Sequence, residues 1–185
     1  MTSEEDLDFT KPAPSAPPPA PEKVAEARKE AGSGAPRLEK TGFYVAMARH
    51  SVGGVVPPRD GLHHCVLVIE DDLAMLKLVA EVLTGAGFRV RMARNRAEIN
   101  TEINKIPMPD LILLDITLPD ADGFQILERI RATPKIAKMP VVLMTGRSEP
   151  ADVARGLSLS ADGYVTKPFK VSALISAVGT VLGLD

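Results

Sequence analysis

Apolar and polar positions follow two different patterns along this chain, and the change falls near residue 64. Beyond it, short apolar runs alternate with stretches of helical period. Cys65–Glu70 (CVLVIE) and Asp110–Leu114 (DLILL) are continuous apolar runs, the mark of strands buried on both faces. Phe88–Ala93, Val141–Met144 and Gly163–Thr166 predict three more strands. Leu73–Ala86 has helical spacing and is stopped by Gly85 and Gly87, while Arg96–Lys105, Gly123–Arg131, Ala151–Leu159 and Val171–Leu182 predict the remaining helices.

Before residue 64 no such alternation exists. Residues 11–21 (KPAPSAPPPAP) predict an extended, polyproline-like stretch. Residues 22–30 (EKVAEARKE) predict a short charged helix, marginal by itself, that Gly32, Gly34 and Pro36 break. Phe43–Ala48 (FYVAMA) is the one apolar cluster, placed either to dock on the domain or a partner, or to remain in a linker. Gly53-Gly54 and Pro57-Pro58 mark a boundary. The expected organisation is therefore a largely disordered Pro/Ala-rich arm over 1–63 and a folded domain over 64–185. Five β/α units in about 120 residues imply an α/β, doubly wound, five-stranded parallel sheet, (βα)5, with the flavodoxin-like strand order 2-1-3-4-5.

Composition narrows the function classes. The 185 residues carry a net charge of −2, and neither half conceals a basic block: residues 1–60 hold 8 Lys/Arg against 9 Asp/Glu, the remainder 14 against 15. A protein that binds DNA by itself concentrates basic charge on one face, so no direct nucleic-acid partner is expected. The single Cys65 cannot form an internal disulfide, Glu4, Glu5, Asp6 and Asp8 are the wrong charge for a signal peptide, and no apolar stretch reaches the roughly 18–20 residues of a membrane span. A cytoplasmic location, without membrane insertion, is the expectation.

Polar residues gather where the predicted strands end. The first strand ends in Glu70-Asp71-Asp72, the third at Asp115, the fourth in Thr145, and the fifth in Lys167-Pro168. In open α/β sheets the carboxyl ends of the strands form the site. Clustered carboxylates favour a hard divalent cation such as Mg²⁺, and a carboxylate can attack phosphorus to form an acyl phosphate. A metal and a lysine would neutralise the transferring oxygens, and a threonine hydroxyl can hydrogen-bond the product.

The segments VLVIEDD, LILLDITLPDADG, VVLMTG and GYVTKPF, in this order, resemble the motifs of the two-component response-regulator receiver family, over about residues 64–185. The resemblance implies that Glu70 and Asp71 are the metal-binding acidic pair and Asp115 the phosphoacceptor. It gives the Thr117 backbone carbonyl as a further Mg²⁺ ligand, Thr145 as the switch hydroxyl, Lys167 as the phosphoryl-binding lysine and Tyr164 as the switch aromatic. It also implies a cis Lys167-Pro168 bond. Phosphorylation would draw Thr145 toward the phosphoryl group, and Tyr164 would follow inward. The donor would be a sensor histidine kinase or a histidine phosphotransfer protein, and the role that of a switch acting on a downstream protein target, not of an enzyme with turnover.

Other readings are weaker. His63-His64-Cys65 lacks a second ligand pair at metal-site spacing, and Gly85-x-Gly87 ends a helix instead of following a strand. Asp72 reads as a helix cap, and Arg147 flanks the site. A phosphatase-like enzyme would carry a second acid that Asp115-Ile-Thr117 does not provide; a constitutive scaffold would keep the fold without using phosphate. Val171–Leu184 contains no charge, with Ser172, Ser176 and Thr180 placed outward. Its face would support a homodimer or dock a target, in line with the output surface that the resemblance implies for the fourth helix, fifth strand and fifth helix. Apolar capping by the arm is the plainer alternative.

Overall fold

The computed structural model describes residues 8–11, 17–46, 54–146 and 150–184. The chain divides into two compact units, Met1–Ala16 with Pro57–Met139 and Pro17–Val56 with Pro140–Asp185. In chain order the elements are α1 (Pro21–Thr41), β1 (Phe43–Val45), β2 (Cys65–Ile69), α2 (Leu73–Gly85), β3 (Arg89–Ala93), α3 (Arg96–Ile103), β4 (Leu111–Asp115), α4 (Gly123–Ala132), β5 (Val141–Thr145), α5 (Pro150–Ser158), β6 (Gly163–Thr166) and α6 (Val171–Leu182).

In the first unit β2 is central, pairing in parallel with β3 on one side and β4 on the other. Every residue of β2 and β4 is buried, as their unbroken apolar runs require, whereas β3 leaves Arg89 and Met92 exposed. Helix α2 buries Leu76, Val79 and Leu83, a single stripe at helical spacing, and Asp72 caps it by accepting the Met75 amide at 2.8 Å. Asn95 caps α3 in the same way through the Glu98 amide at 2.9 Å.

Asp110 does not begin a strand, as its apolar neighbours suggested. It is 1% exposed, and its carboxylate accepts the Cys65 amide at 2.8 Å and the Arg59 amide at 3.0 Å, with the Arg59 guanidinium 3.6 Å away. The side chain thus latches the start of β2 and the segment before it. Asp110→Ala strands a buried amide and is expected to cost about 2–3 kcal/mol, read as a lowered urea midpoint at unchanged slope.

Residues 8–11 also depart from the expected arm. Phe9 is 1% exposed, its ring lies 5.5 Å beneath the Arg129 guanidinium, and its amide reaches Asn100 Oδ1 at 3.3 Å. Arg96 donates to the Phe9 and Lys11 carbonyls and Arg129 to the Lys11 carbonyl, so α3 and α4 hold this segment by its main chain.

In the second unit β5 and β6 pair in parallel, and β1 adds to β6 antiparallel, with Tyr44 opposite Tyr164. The orders β3-β2-β4 and β5-β6 agree with the predicted 2-1-3 and 4-5 steps; β1 is a sixth strand that the alternation did not announce. Over residues 17–46 the expectation of a disordered arm is corrected: α1 runs 21 residues, through Gly32, Gly34 and Pro36. The reason is tertiary. Ala27, Ala31, Ala35 and Leu38 recur on one face and are buried, with α1 packed along α5. At Gly34 a Cβ would stand 3.0 Å from the Tyr44 ring, so the bare backbone is what lets that ring lie on the helix. Met47 and Ala48, the end of the predicted apolar cluster, lie outside the described residues, as do Arg147 and much of the Pro/Ala-rich stretch.

The uncharged last helix, α6, is partly accounted for by the same segment. β1 packs beside it, and the Val56 amide donates to the Leu182 carbonyl at 3.0 Å. Apolar capping by the arm, the plainer of the two sequence readings, describes this contact.

Candidate functional site

In the first unit, β2 delivers Glu70 and Asp71 at its C-terminal end and β4 delivers Asp115 at its own. Parallel pairing with Ile69 opposite Leu114 puts these ends side by side. One carboxylate oxygen from each of Glu70, Asp71 and Asp115 lies within 4.8 Å of the others. Glu70 and Asp115 are buried, Asp71 half-buried. Two unit charges at roughly 4 Å repel by about 1 kcal/mol even in water, and more in a protein interior. Such a set fits a hard divalent cation, which takes oxygen ligands and offsets that repulsion.

Local hydrogen bonds orient the set. The Thr117 amide donates to Asp115 Oδ1 at 3.0 Å, and the Asp72 amide to Glu70 Oε1 at 3.2 Å. Thr117 forms an isolated antiparallel bridge with Asp122, whose carboxylate caps α4 through the Phe124 amide at 2.9 Å. That bridge closes the loop after β4 and sets the backbone of Thr117 near the acidic group.

Gly123 is the residue that sequence reasoning misses. It stands inside the quoted LPDADG motif, yet nothing in its spacing reveals its task. A Cβ here would lie 2.5 Å from the Asp115 carbonyl oxygen and 2.6 Å from Ile116 Cα. The first turn of α4 therefore rests directly on the main chain of the candidate phosphoacceptor, and its amide donates to the Ile116 carbonyl at 2.8 Å.

In the second unit the structure brings Thr145 and Lys167 together. Thr145 is buried at the end of β5, the half-buried Lys167 follows β6, and the Lys167 amide donates to the Thr145 carbonyl at 2.8 Å. The Lys167-Pro168 bond is cis. Tyr164 is fully buried, and its hydroxyl donates to the Val153 carbonyl at 2.9 Å. Burial, helped by the nearby Glu30 and Tyr44, pushes this phenol well above its ordinary range, so it remains a donor. In this structure the ring lies inside, against α5.

The remaining candidates contribute no second site. Among the described residues, the acidic trio is the one group of three potential ligand side chains gathered this closely, and His63 and His64 are not in it. Burial raises the Cys65 thiol above its ordinary value, which leaves it an inert core group. No helix among the described residues is long and apolar enough to cross a membrane.

Comparison with known proteins identifies the family and the fold. The family model of the response regulator receiver domain matches residues 66–179. The phosphate regulon transcriptional regulatory protein PhoB of Escherichia coli is 36% identical over 117 residues, 63% of this chain and 51% of PhoB. The probable transcriptional regulator ycf29 of Porphyra purpurea is 33% identical over 120 residues, 65% of this chain and 57% of that protein. This chain thus spans about half the length of these relatives. A putative response regulator from Chloroflexus aurantiacus superposes with a TM-score of 0.61 at 30% identity, covering 65% of this chain and 98% of that one. The fold is the flavodoxin-like α/β receiver fold, with α1 and β1 lying before the matched residues. Because residues 66–179 contain all five strand ends that the pattern predicted, the chain belongs to the response regulator receiver family of two-component systems.

Proposed function

We propose that this receiver domain accepts a phosphoryl group on Asp115 from a phosphohistidine carried by a sensor histidine kinase or a histidine phosphotransfer protein. The observation that supports it is the gathering of Glu70, Asp71 and Asp115, with their ligand oxygens within 4.8 Å of one another. A carboxylate oxygen of Asp115 attacks phosphorus, the P–N bond to the donor imidazole breaks, and the electron pair leaves with that nitrogen. Glu70, Asp71, Asp115 and the Thr117 carbonyl would hold Mg²⁺, which when bound neutralises charge on the transferring oxygens. Lys167 supplies a second positive charge, and the Thr145 hydroxyl donates to the phosphoryl group once it is in place.

The product carries about −1.5 to −2 charge units where the free carboxylate carried −1, and it adds three acceptor oxygens to a site already rich in carboxylates, enough to bias two conformations of the domain. The domain serves as a switch for a downstream protein target in the cytoplasm and turns over no substrate. Incubating the full chain with phosphoramidate and Mg²⁺ tests this. Acid-labile phosphate on the peptide containing Asp115, lost when the ion is chelated, is the expected result. No phosphate with an active donor present would refute the proposal.

One observation favours a second reading. Tyr164 is already buried, as it would be in a scaffold set permanently in one state. Under that reading Asp115→Asn leaves partner binding unchanged, whereas phosphoryl switching predicts loss of the response.

A further inference from the structure

We infer that residues 21–46 are an intramolecular ligand for the face formed by α5, β6 and α6, held reversibly, and that phosphorylation of Asp115 loosens them. The second clause rests on the function proposed above. The first rests on contacts within one unit.

The occupant is continuous and covers three elements. β1 pairs with the edge of β6 from Phe43 to Val45, and the Ala46 amide continues the edge by donating to the Asp162 carbonyl at 2.8 Å. α1 lies along α5, and β1 lies beside α6. An unpaired edge strand is a template for another chain, so β1 satisfies in cis the groups that would recruit a strand in trans. Tyr44 is 3% exposed opposite Tyr164, and its hydroxyl donates to Glu30 Oε1 at 2.7 Å, which ties β1 to α1. Any second copy or target protein that uses this face must first displace the segment.

The attachment is of a kind that can come off. Three of the four buried residues in the helical stripe are alanines, which bury little area, and β1 contributes only three residues. Gly32, Gly34 and Pro36 lower the intrinsic stability of α1, and Ala20 provides no side-chain cap. Detached from its partners, such a helix does not hold its form.

A direct line of hydrogen bonds joins this segment to the residues proposed to sense the phosphoryl group. The Lys167 amide donates to the Thr145 carbonyl at 2.8 Å; its neighbour, the Thr166 amide, donates to the Gly42 carbonyl at 3.0 Å. Gly42 is the joint between α1 and β1, with φ +82°, and a Cβ on it would meet Ala173 of α6 at 3.3 Å. Movement of Thr145 and Lys167 toward a phosphoryl group pulls on β6 at Thr166 and therefore on this joint. The edge of β6 is the part of the face that this line of hydrogen bonds reaches.

Hydrogen–deuterium exchange on the full chain decides the matter, with beryllofluoride and Mg²⁺ as the phosphoryl mimic. Peptides within 21–46 are expected to exchange roughly tenfold faster or more with the mimic, and to be unaffected by it in Asp115→Asn. Gly34→Val forces the Tyr44 ring off the helix and is expected to produce the fast-exchanging segment without the mimic, while β2 and β4 keep their protection. If β5 and β6 respond to the mimic and 21–46 does not, the inference falls and the phosphorylation reading stands. If nothing responds and Asp115 takes no phosphate from phosphoramidate, both fall. If Gly34→Val strips protection from β2 and β4 as well, the segment is part of the core and not a ligand.

Discussion

Replacing Asp115 by asparagine is expected to abolish phosphoryl uptake completely and, without divalent cations, to make the protein more stable. The carboxylate is the nucleophile of the proposed transfer, and an amide oxygen of the same shape does not form the acyl phosphate. The substitution keeps the acceptor that takes the Thr117 amide at 3.0 Å, so the loop after β4 stays closed. It also removes one of three negative charges whose oxygens lie within 4.8 Å. Each repulsion relieved is worth about 1 kcal/mol or more, depending on the local dielectric. The expected signature is a raised denaturation midpoint with chelator present, and a smaller advantage once Mg²⁺ is added to both proteins. Loss of phosphorylation with a lowered midpoint would instead report damage to the fold. Both measurements on the same preparation therefore separate a chemical role for Asp115 from a structural one.

Gly123→Ala is expected to destabilise the protein by about 2 kcal/mol or more, although alanine is the better helix former by about 1 kcal/mol. The added Cβ would lie 2.5 Å from the Asp115 carbonyl oxygen and 2.6 Å from Ile116 Cα. Both are main-chain atoms, so no side chain can turn aside; α4 or the end of β4 must move. Since β4 carries Asp115, phosphorylation should slow as stability falls. Gly85→Ala provides the control: it ends α2, has nothing within 4 Å of the added Cβ, and is expected to stabilise by about 0.5–1 kcal/mol. Urea midpoints for the two variants are expected to move in opposite directions. A gain in both would show that propensity, not the packing of α4 on Asp115, governs position 123.

Positions 85 and 123 differ in whether the cause is local or distant, and legibility in the sequence divides along the same line. Buried strands are visible because a segment covered on both faces has no polar alternation, and β2 and β4 show this at every residue. A helix cap is visible where the capping chemistry is local, as Asp72 demonstrates; Asn95 and Asp122 cap α3 and α4 in the same way. The acidic cluster is legible for a different reason. Parallel pairing places strand ends along one rim, so residues that end strands meet there regardless of their distance in sequence.

A helix over 22–30 and docking of Phe43–Ala48 are open to sequence reasoning, but the full length of α1 and the pairing of β1 escape it because they have no local cause. Gly32, Gly34 and Pro36 are breakers in an isolated helix, yet α1 passes through all three because α5 and Tyr44 supply the packing that propensity does not. A three-residue strand such as β1 carries too little pattern to be recognised alone; it exists because β6 presents an edge. Phe9 is buried by arginines of α3 and α4 that nothing near it in the chain announces.

The sequence alone determined the β/α alternation, the strand ends on which Glu70, Asp71, Asp115, Thr145 and Lys167 sit, and hence the family, because each depends on periodicity or on motifs within a few residues. Only the tertiary structure decided that residues 21–46 form a helix and an edge strand, that Tyr164 is already enclosed, and that position 123 admits no side chain. These depend on atoms brought close by folding, whose identity no local pattern encodes.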